Sequence, residues 1–228
     1  MQPRRYVELQ GSRIAYRVQG DGPALVLLKN NRRPLDFQAA GQLADRFRVL
    51  QVHPVGFGAS DRPLNYAFGS ICEQVLTVLD HEGIDQFAVW GFSQTAAMAA
   101  IAATSTGRAT ALVMGGFAPI GFPSDGEMRR LEREPRLPKP PLEFWRSYRT
   151  YDWHHQLRCF AGTKIAYVGT ADPAITRMRR LRPVLKGIGF TYLEYEGLDH
   201  SASSLGDSSD SGRRVTQEIA AYLHNDEG

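Results

Sequence analysis

Ser93 is the first residue in this chain whose neighbours could make it reactive. It stands in Trp90-Gly91-Phe92-Ser93-Gln94-Thr95, between the apolar run Phe87–Trp90 and the small-residue run Ala96–Ala103. The first run predicts a buried strand, and the second a helix packed closely on a sheet. A strand that turns sharply into a helix at a serine presents its hydroxyl for attack on a carbonyl, with helix-start N–H groups placed to hold the oxyanion. Only small residues fit around such a turn, which accounts for Gly91. The second small position, usually glycine, is Thr95, so the pattern is G-x-S-x-T. Ser as a plain helix N-cap is the competing reading of these five residues.

A serine nucleophile needs a base, and the base needs an acid to orient it. Asp172 follows the apolar run Ile165–Val168 through Gly169-Thr170-Ala171, and His200 follows Phe190–Glu194 through Gly197-Leu198-Asp199. Both therefore fall just after strands. His53 also ends a strand and is the rival base, although it precedes Ser93. Asp199 is a weaker rival acid, because adjacent side chains diverge. Asp172 could instead cap the helix that follows it. His81, His154, His155 and His224 read as surface residues.

The elements that must position these groups follow from the pattern of the chain. Val7–Leu9 and Arg13–Val18 alternate around Gln10-Gly11-Ser12 as a hairpin. Strands are predicted at 24–28, 48–52, 87–90, 111–114, 165–168 and 190–194. Helices are predicted at 35–45, 69–82, 96–103, 174–186 and 212–224. Strands alternating with helices imply an α/β fold with a mostly parallel sheet and helices on both faces, and ligands at the strand C-terminal edge. Residues 117–158 break this rhythm, with short helical pieces near 128–134 and 142–148.

Composition narrows the function classes. At 228 residues, 43% hydrophobic and 22% charged, a single globular domain over 1–228 is expected. The sequence holds no apolar stretch of membrane-spanning length, and the two N-terminal arginines have no apolar run behind them. A net charge of +3 gives no argument for nucleic acid. Two cysteines are too few for a disulfide framework, so a reducing cytoplasm is expected. The His and Cys residues lack metal-ligand spacing, and neither a metal nor another cofactor is implied.

The chain resembles the α/β-hydrolase fold family over nearly its whole length. The pieces that carry the likeness are Arg13-Ile14-Ala15-Tyr16, Gly56-Phe57-Gly58-Ala59-Ser60-Asp61-Arg62-Pro63, Gly91-Phe92-Ser93-Gln94-Thr95, Gly169-Thr170-Ala171-Asp172 and Gly197-Leu198-Asp199-His200. The resemblance implies a triad of Ser93, Asp172 and His200. It implies oxyanion donors at Gln94 N–H and on the loop after strand 24–28, at Asn31 or Asn30. Three departures stand out. The oxyanion loop, normally His-Gly, reads Lys29-Asn30-Asn31. The usual Asp-x-Arg-Gly reads His53-Pro54-Val55-Gly56. Thr95 replaces the last elbow glycine, where its Cβ is expected to crowd the helix–strand contact, a crowding that a neighbouring small residue can relieve.

By the same likeness, the insertion at 117–158 is a short cap. Phe117, Trp145 and Trp153, with Lys29 and His53, are candidate pocket residues. Arginines at 129, 130, 133, 136, 177, 179, 180 and 182, with Lys29, Arg32 and Arg33, read as solvated faces or as a rim for an anionic substrate. The expected activity is cleavage of an ester, thioester or lactone of a small molecule. A binding protein with little turnover, or a lyase, cyclase or acyltransferase on the same triad, are the alternatives. Haloalkane dehalogenation, which needs an aspartate nucleophile, does not fit Ser93. Membrane and nucleic-acid partners are not expected, and the oligomeric state is left open.

Overall fold

The computed structural model describes residues 3–30, 37–64, 66–133, 140–201 and 209–224. Its strands are β1 (Arg5–Leu9), β2 (Ser12–Gln19), β3 (Ala24–Leu28), β4 (Arg48–His53), β5 (Phe87–Phe92), β6 (Ala109–Gly115), β7 (Thr163–Gly169) and β8 (Thr191–Tyr195). They form one sheet in the order β1-β2-β4-β3-β5-β6-β7-β8. Strand β2 runs antiparallel to β1 and β4, and the pairings from β4 through β8 are parallel. The expected α/β class and the parallel sheet are thus found. The central strand β3 is buried along its whole length, as a strand covered on both faces must be.

Helices α1 (Phe37–Ala44) and α8 (Asp210–His224) cover one face, and α2 (Ile71–His81) and α3 (Gln94–Thr104) the other. Leu25, Leu27, Trp90, Val113 and Tyr167 pack with Leu43, Val215 and Ile219 on the first face. Val26, Val89, Leu112 and Ala166 pack with Val75, Val78 and the alanines of α3 on the second. Helix α3 is buried all round, between the sheet, α2 and a later helix. Alanine on every side allows this, because backbones can then approach closely.

Between β6 and β7 the chain forms α4 (Asp125–Arg133), α5 (Leu142–Arg149) and α6 (Trp153–Cys159). Helix α6 replaces the irregular chain expected there. Asp152 caps it by accepting the His155 N–H at 3.0 Å, while Trp153 and Leu157 turn inward. After β7, α7 (Ile175–Gly187) leads to β8. Among the described residues, no helix is long and apolar enough to cross a membrane.

Candidate active site

Ser93 directly follows β5 and caps α3 with φ +56° and ψ −126°. Among the described residues only Gln10, in the β1–β2 turn, is another non-glycine residue with positive φ. An L-residue held in that region is strained, and the surroundings must impose it. They do so here from both sides. The Ser93 N–H donates to the Gly115 carbonyl of β6 at 2.8 Å. The Thr95 hydroxyl accepts the Phe92 N–H and donates to the Phe92 carbonyl, both at 2.9 Å. A Cβ at Gly91 would lie 2.0 Å from the Thr95 carbonyl oxygen, so the close approach is absorbed by glycine at 91. Gly91 is thus the small neighbour that relieves the contact, and the Thr95 hydroxyl adds a tie across the turn. Sequence reading missed this role, although a Thr three residues after Phe92 is a local hydrogen-bonding signal.

The acid and the base come from two loops joined by backbone. Thr170 N–H donates to Tyr195 O at 2.9 Å and Ala171 N–H to Leu198 O at 3.0 Å. Thr170 Oγ1 accepts the Gly197 N–H at 2.8 Å. Gly169 permits the contact, since a Cβ there would lie 2.0 Å from Leu198 O. Asp172 and His200 consequently meet. His200 Nδ1 lies 2.7 Å from Asp172 Oδ2. Asp172 Oδ1 accepts the Ala174 N–H at 2.8 Å, so both carboxylate oxygens are engaged; the N-cap of α7 is Ala174, and Asp172 does not cap the helix itself. The Asp172 side chain is 0% exposed and that of His200 43%. A fully buried carboxylate with both oxygens occupied is held in one orientation, while the ring it holds faces solvent. Asp199, the rival acid, accepts the Ser201 N–H at 2.8 Å.

The His200 ring lies 4.8 Å from the ring of Phe92, the residue before Ser93. This brings the base to the nucleophile turn. Among the described residues no hydrogen bond joins Ser93 Oγ to His200. With Nδ1–H donating to Asp172, Nε2 carries the lone pair that could take a proton.

On the oxyanion side, α3 begins at Gln94, whose N–H has no acceptor within its own helix. Asn30 reaches this point and donates from Nδ2 to Gln94 Oε1 at 3.3 Å. Asn31, the other candidate, lies outside the described residues, as do Arg32, Arg33 and Arg136. Lys29 is buried at the end of β3, and its N–H continues the ladder to Val52 O at 2.9 Å. Burial holds its amine below the usual lysine range. His53 is buried beside it, and its Nδ1 accepts the Ala59 N–H at 3.0 Å. Burial first, then the charges of Arg4, Lys29 and Arg17, push its pKa down to about 4. His53 is therefore a neutral ring anchoring the 54–61 loop, with Gly58 pressed so close that a Cβ would meet His53 Cγ at 2.5 Å.

Phe117 follows Gly116, whose hypothetical Cβ would lie 2.9 Å from the Phe92 ring and 3.4 Å from Asp172 Oδ2. Phe117 packs on Phe122, and Arg177 lies over both rings while donating to Ala118 O and Ile120 O. Trp145 and Trp153 sit in an aromatic cluster with Phe68, Phe144 and Tyr148, their indole N–H groups buried without a partner. Several arginines of the suspected rim have local work. Arg179 pairs with Glu194 at 2.8 Å, and Arg182 lies over Tyr192. Among the described residues, no group of three His, Cys, Asp or Glu side chains could hold a metal ion.

Comparison with known proteins agrees with the fold. A family profile for the alpha/beta hydrolase fold matches residues 34–114. Over 76 residues the chain is 33% identical to the proline iminopeptidase PfmaB of Pestalotiopsis fici (strain W106-1 / CGMCC3.15140). That stretch is 31% of this chain and 27% of the relative, so the match spans about a quarter of the relative's length. A malate-bound thermophilic esterase from Thermogutta terrifontis superposes with a TM-score of 0.76 at 16% identity, covering 98% of each chain. Esterase RhEst1 from Rhodococcus sp. ECU1013 gives 0.70 at 19% identity, covering 96% of this chain and 98% of that one. The meta-cleavage product hydrolase CumD from Pseudomonas fluorescens IP01, an S103A mutant with acetates, gives 0.67 at 15%, covering 97% of each. At these identities the likeness to the solved structures is one of fold.

Proposed function

We propose that this chain, which belongs to the α/β-hydrolase fold family, is a serine hydrolase that cleaves an ester, thioester or lactone of a small molecule. The observation that carries the reading is the Asp172–His200 hydrogen bond of 2.7 Å, beside a turn that forces Ser93 to φ +56°. Ser93 Oγ attacks the carbonyl carbon, and its proton passes to His200 Nε2. Asp172 keeps Nδ1 protonated and stabilises the imidazolium. The oxyanion is held by Gln94 N–H and a second N–H from the loop after β3, at Asn30 or Asn31. The tetrahedral centre collapses, and the leaving alkoxide or thiolate takes the proton from His200. Water then attacks the acyl-serine with His200 again as base, releasing the acid and Ser93.

A small-molecule substrate bearing an anionic group belongs to the same proposal, on the strength of the buried Lys29 next to the oxyanion loop. A KM that rises with ionic strength is expected, and a flat KM would remove the anionic part. A cytoplasmic location is proposed on the two free cysteines. A weakly catalytic binding protein is the second reading, favoured by the missing Ser93–His200 hydrogen bond and by Lys29-Asn30 in the oxyanion loop. Intact-mass spectrometry after fluorophosphonate treatment separates the two. One adduct on wild type, lost in Ser93→Ala and His200→Ala, supports the hydrolase; no adduct on wild type refutes it in favour of binding.

A further inference from the structure

A second nucleophilic side chain lies away from the Ser93 turn, on helix α6. Cys159 is exposed, and its Sγ lies 3.6 Å from Nε2 and 3.9 Å from Nδ1 of His155. The two residues are four apart, so the helix stacks them on one face. The backbone of His155 is fixed by its N–H bond to the Asp152 cap at 3.0 Å. Both side chains line a cavity of about 500 Å³ between α6 and the C-terminal end of α3. Its far wall is Thr104, Ser105, Thr106 and Gly107, polar and without ionisable groups.

We propose that Cys159 and His155 form a thiol nucleophile–base pair, a site of covalent modification by low-molecular-weight disulfides whose remaining half occupies this cavity. Charged groups surround the pair. His154 and Arg158 are exposed on the same helix. Lys164 of β7 donates to Leu157 O and Phe160 O at 3.3 and 2.8 Å, and it feels the charge of Cys159. Arg108, near the α3 wall, is turned away to Asp80 and the carbonyls of Ile84 and Asp85. Asp152 is the acid of the element, and its Oδ1 faces the His155 N–H.

The step is an exchange. The Cys159 proton passes to His155, and the thiolate attacks one sulfur of R–S–S–R. The Cys159–S–S–R bond forms as the old S–S bond breaks. The departing RS⁻ takes the proton from His155 and leaves as RSH. The small disulfide is the oxidant, and Cys159 is oxidised. Cys72 is an internal control: it is buried, its Sγ faces Ala102 O at 3.7 Å, and burial pushes its thiol up to about 11.

The test is the pH dependence of reaction with an aromatic disulfide reagent on the intact native chain, with oxidised glutathione as a second probe read by intact mass. One thiol is expected to react in wild type and none in Cys159→Ser. At pH 6, His155→Ala is expected to react about tenfold more slowly than wild type, with the two rates converging near pH 9.5, above the ordinary thiol pKa of about 8.5. His155→Gln guards against a folding defect, since it keeps a polar side chain at the exposed position. Equal rates for wild type and both His155 variants at pH 6 would overturn the pair, as would modification at Cys72. Ser93→Ala is expected to react at the wild-type rate, so the outcome is independent of the hydrolase reading.

Discussion

Thr95→Val removes one oxygen and almost no volume, and it isolates what the elbow hydroxyl does. In the native turn that oxygen satisfies the buried Phe92 N–H and also bonds the Phe92 carbonyl. Valine leaves the N–H without its acceptor, at a cost of about 1–3 kcal/mol. The carbonyl loses one of two possible bonds and adds less. For a chain of this size each kcal/mol moves Tm by about 2–4 °C, so a fall of roughly 2–12 °C is expected. Thr95→Ser keeps the oxygen and loses a methyl group worth about 0.8 kcal/mol, so it should melt only about 2–3 °C below wild type. The same clamp imposes the positive φ of Ser93, which lies between its two ends. Fluorophosphonate labelling should therefore slow by about tenfold in the valine variant and remain near wild type in the serine variant. A valine variant that melts and labels like wild type, or a serine variant that fares as badly as valine, would refute the argument.

Asp172→Asn can keep the Ala174 N–H on its carbonyl oxygen but presents an NH₂ to His200, which puts the ring proton on Nε2. By analogy with serine proteases, kcat should fall by about 10⁴ with little change in Tm. His53 supplies a pH test by chemical denaturation. Its folded pKa of about 4 lies below the ordinary value of about 6.5, so between those pH values the unfolded chain binds more protons. Stability is full above about pH 6.5 and is lost as pH falls toward about 4, by roughly 3 kcal/mol from this group. His53→Gln should flatten that slope, and an unchanged slope would show that the ring is not the cause. Arg177→Met keeps an apolar stem near Phe117 and Phe122 but removes the donors to Ala118 O and Ile120 O. Steady-state kinetics should show KM rising several-fold with kcat nearly constant, because the 117–122 loop flanks the site and does not touch the reacting atoms.

Much of this arrangement was legible because it depends on local patterns. Continuous apolar runs gave β3, β5, β6 and β7, and the change from Trp90-Gly91 to an alanine run located the elbow. Asp172 and His200 stood out because each follows a strand, and a parallel sheet brings strand C-termini to one edge. What could not be read is whatever depends on the backbone of two distant loops. The bonds from Thr170 and Ala171 to Tyr195 and Leu198 have no side-chain signature, yet they set the acid against the base. Helix α6 was hidden for another reason. It is seven residues long, and His154, His155, Gln156 and Arg158 mask the inward spacing of Trp153 and Leu157. The arginines of α7 were ambiguous in the sequence because a solvated face and a ligand rim look alike. Glu194 and the carbonyls of Ala118 and Ile120 account for Arg179 and Arg177.

The two basic residues at the reshaped edge of the site are best understood together. The resemblance leads one to expect His at position 29 and Asp at 53; this chain has Lys and His. Two buried cations side by side would be costly, because neither recovers its lost hydration from the other. The structure avoids that by keeping one of them neutral. His53 Nδ1 accepts the Ala59 N–H, an interaction open only to the unprotonated nitrogen, and the same ring supports Gly58. The Ser60 hydroxyl donates to the His53 carbonyl and accepts the Ala15 N–H, and Asp61 pairs with Arg13. The loop that a carboxylate would hold by charge is held here by a neutral ring and a chain of ordinary hydrogen bonds. With His53 neutral, the positive charge acting on this loop comes from Arg4, Lys29 and Arg17 alone, and of these Lys29 lies next to the oxyanion loop. Protonating His53 breaks the Ala59 bond and places a second cation beside the first. Loop geometry, acid stability and the site's field therefore depend on one protonation state.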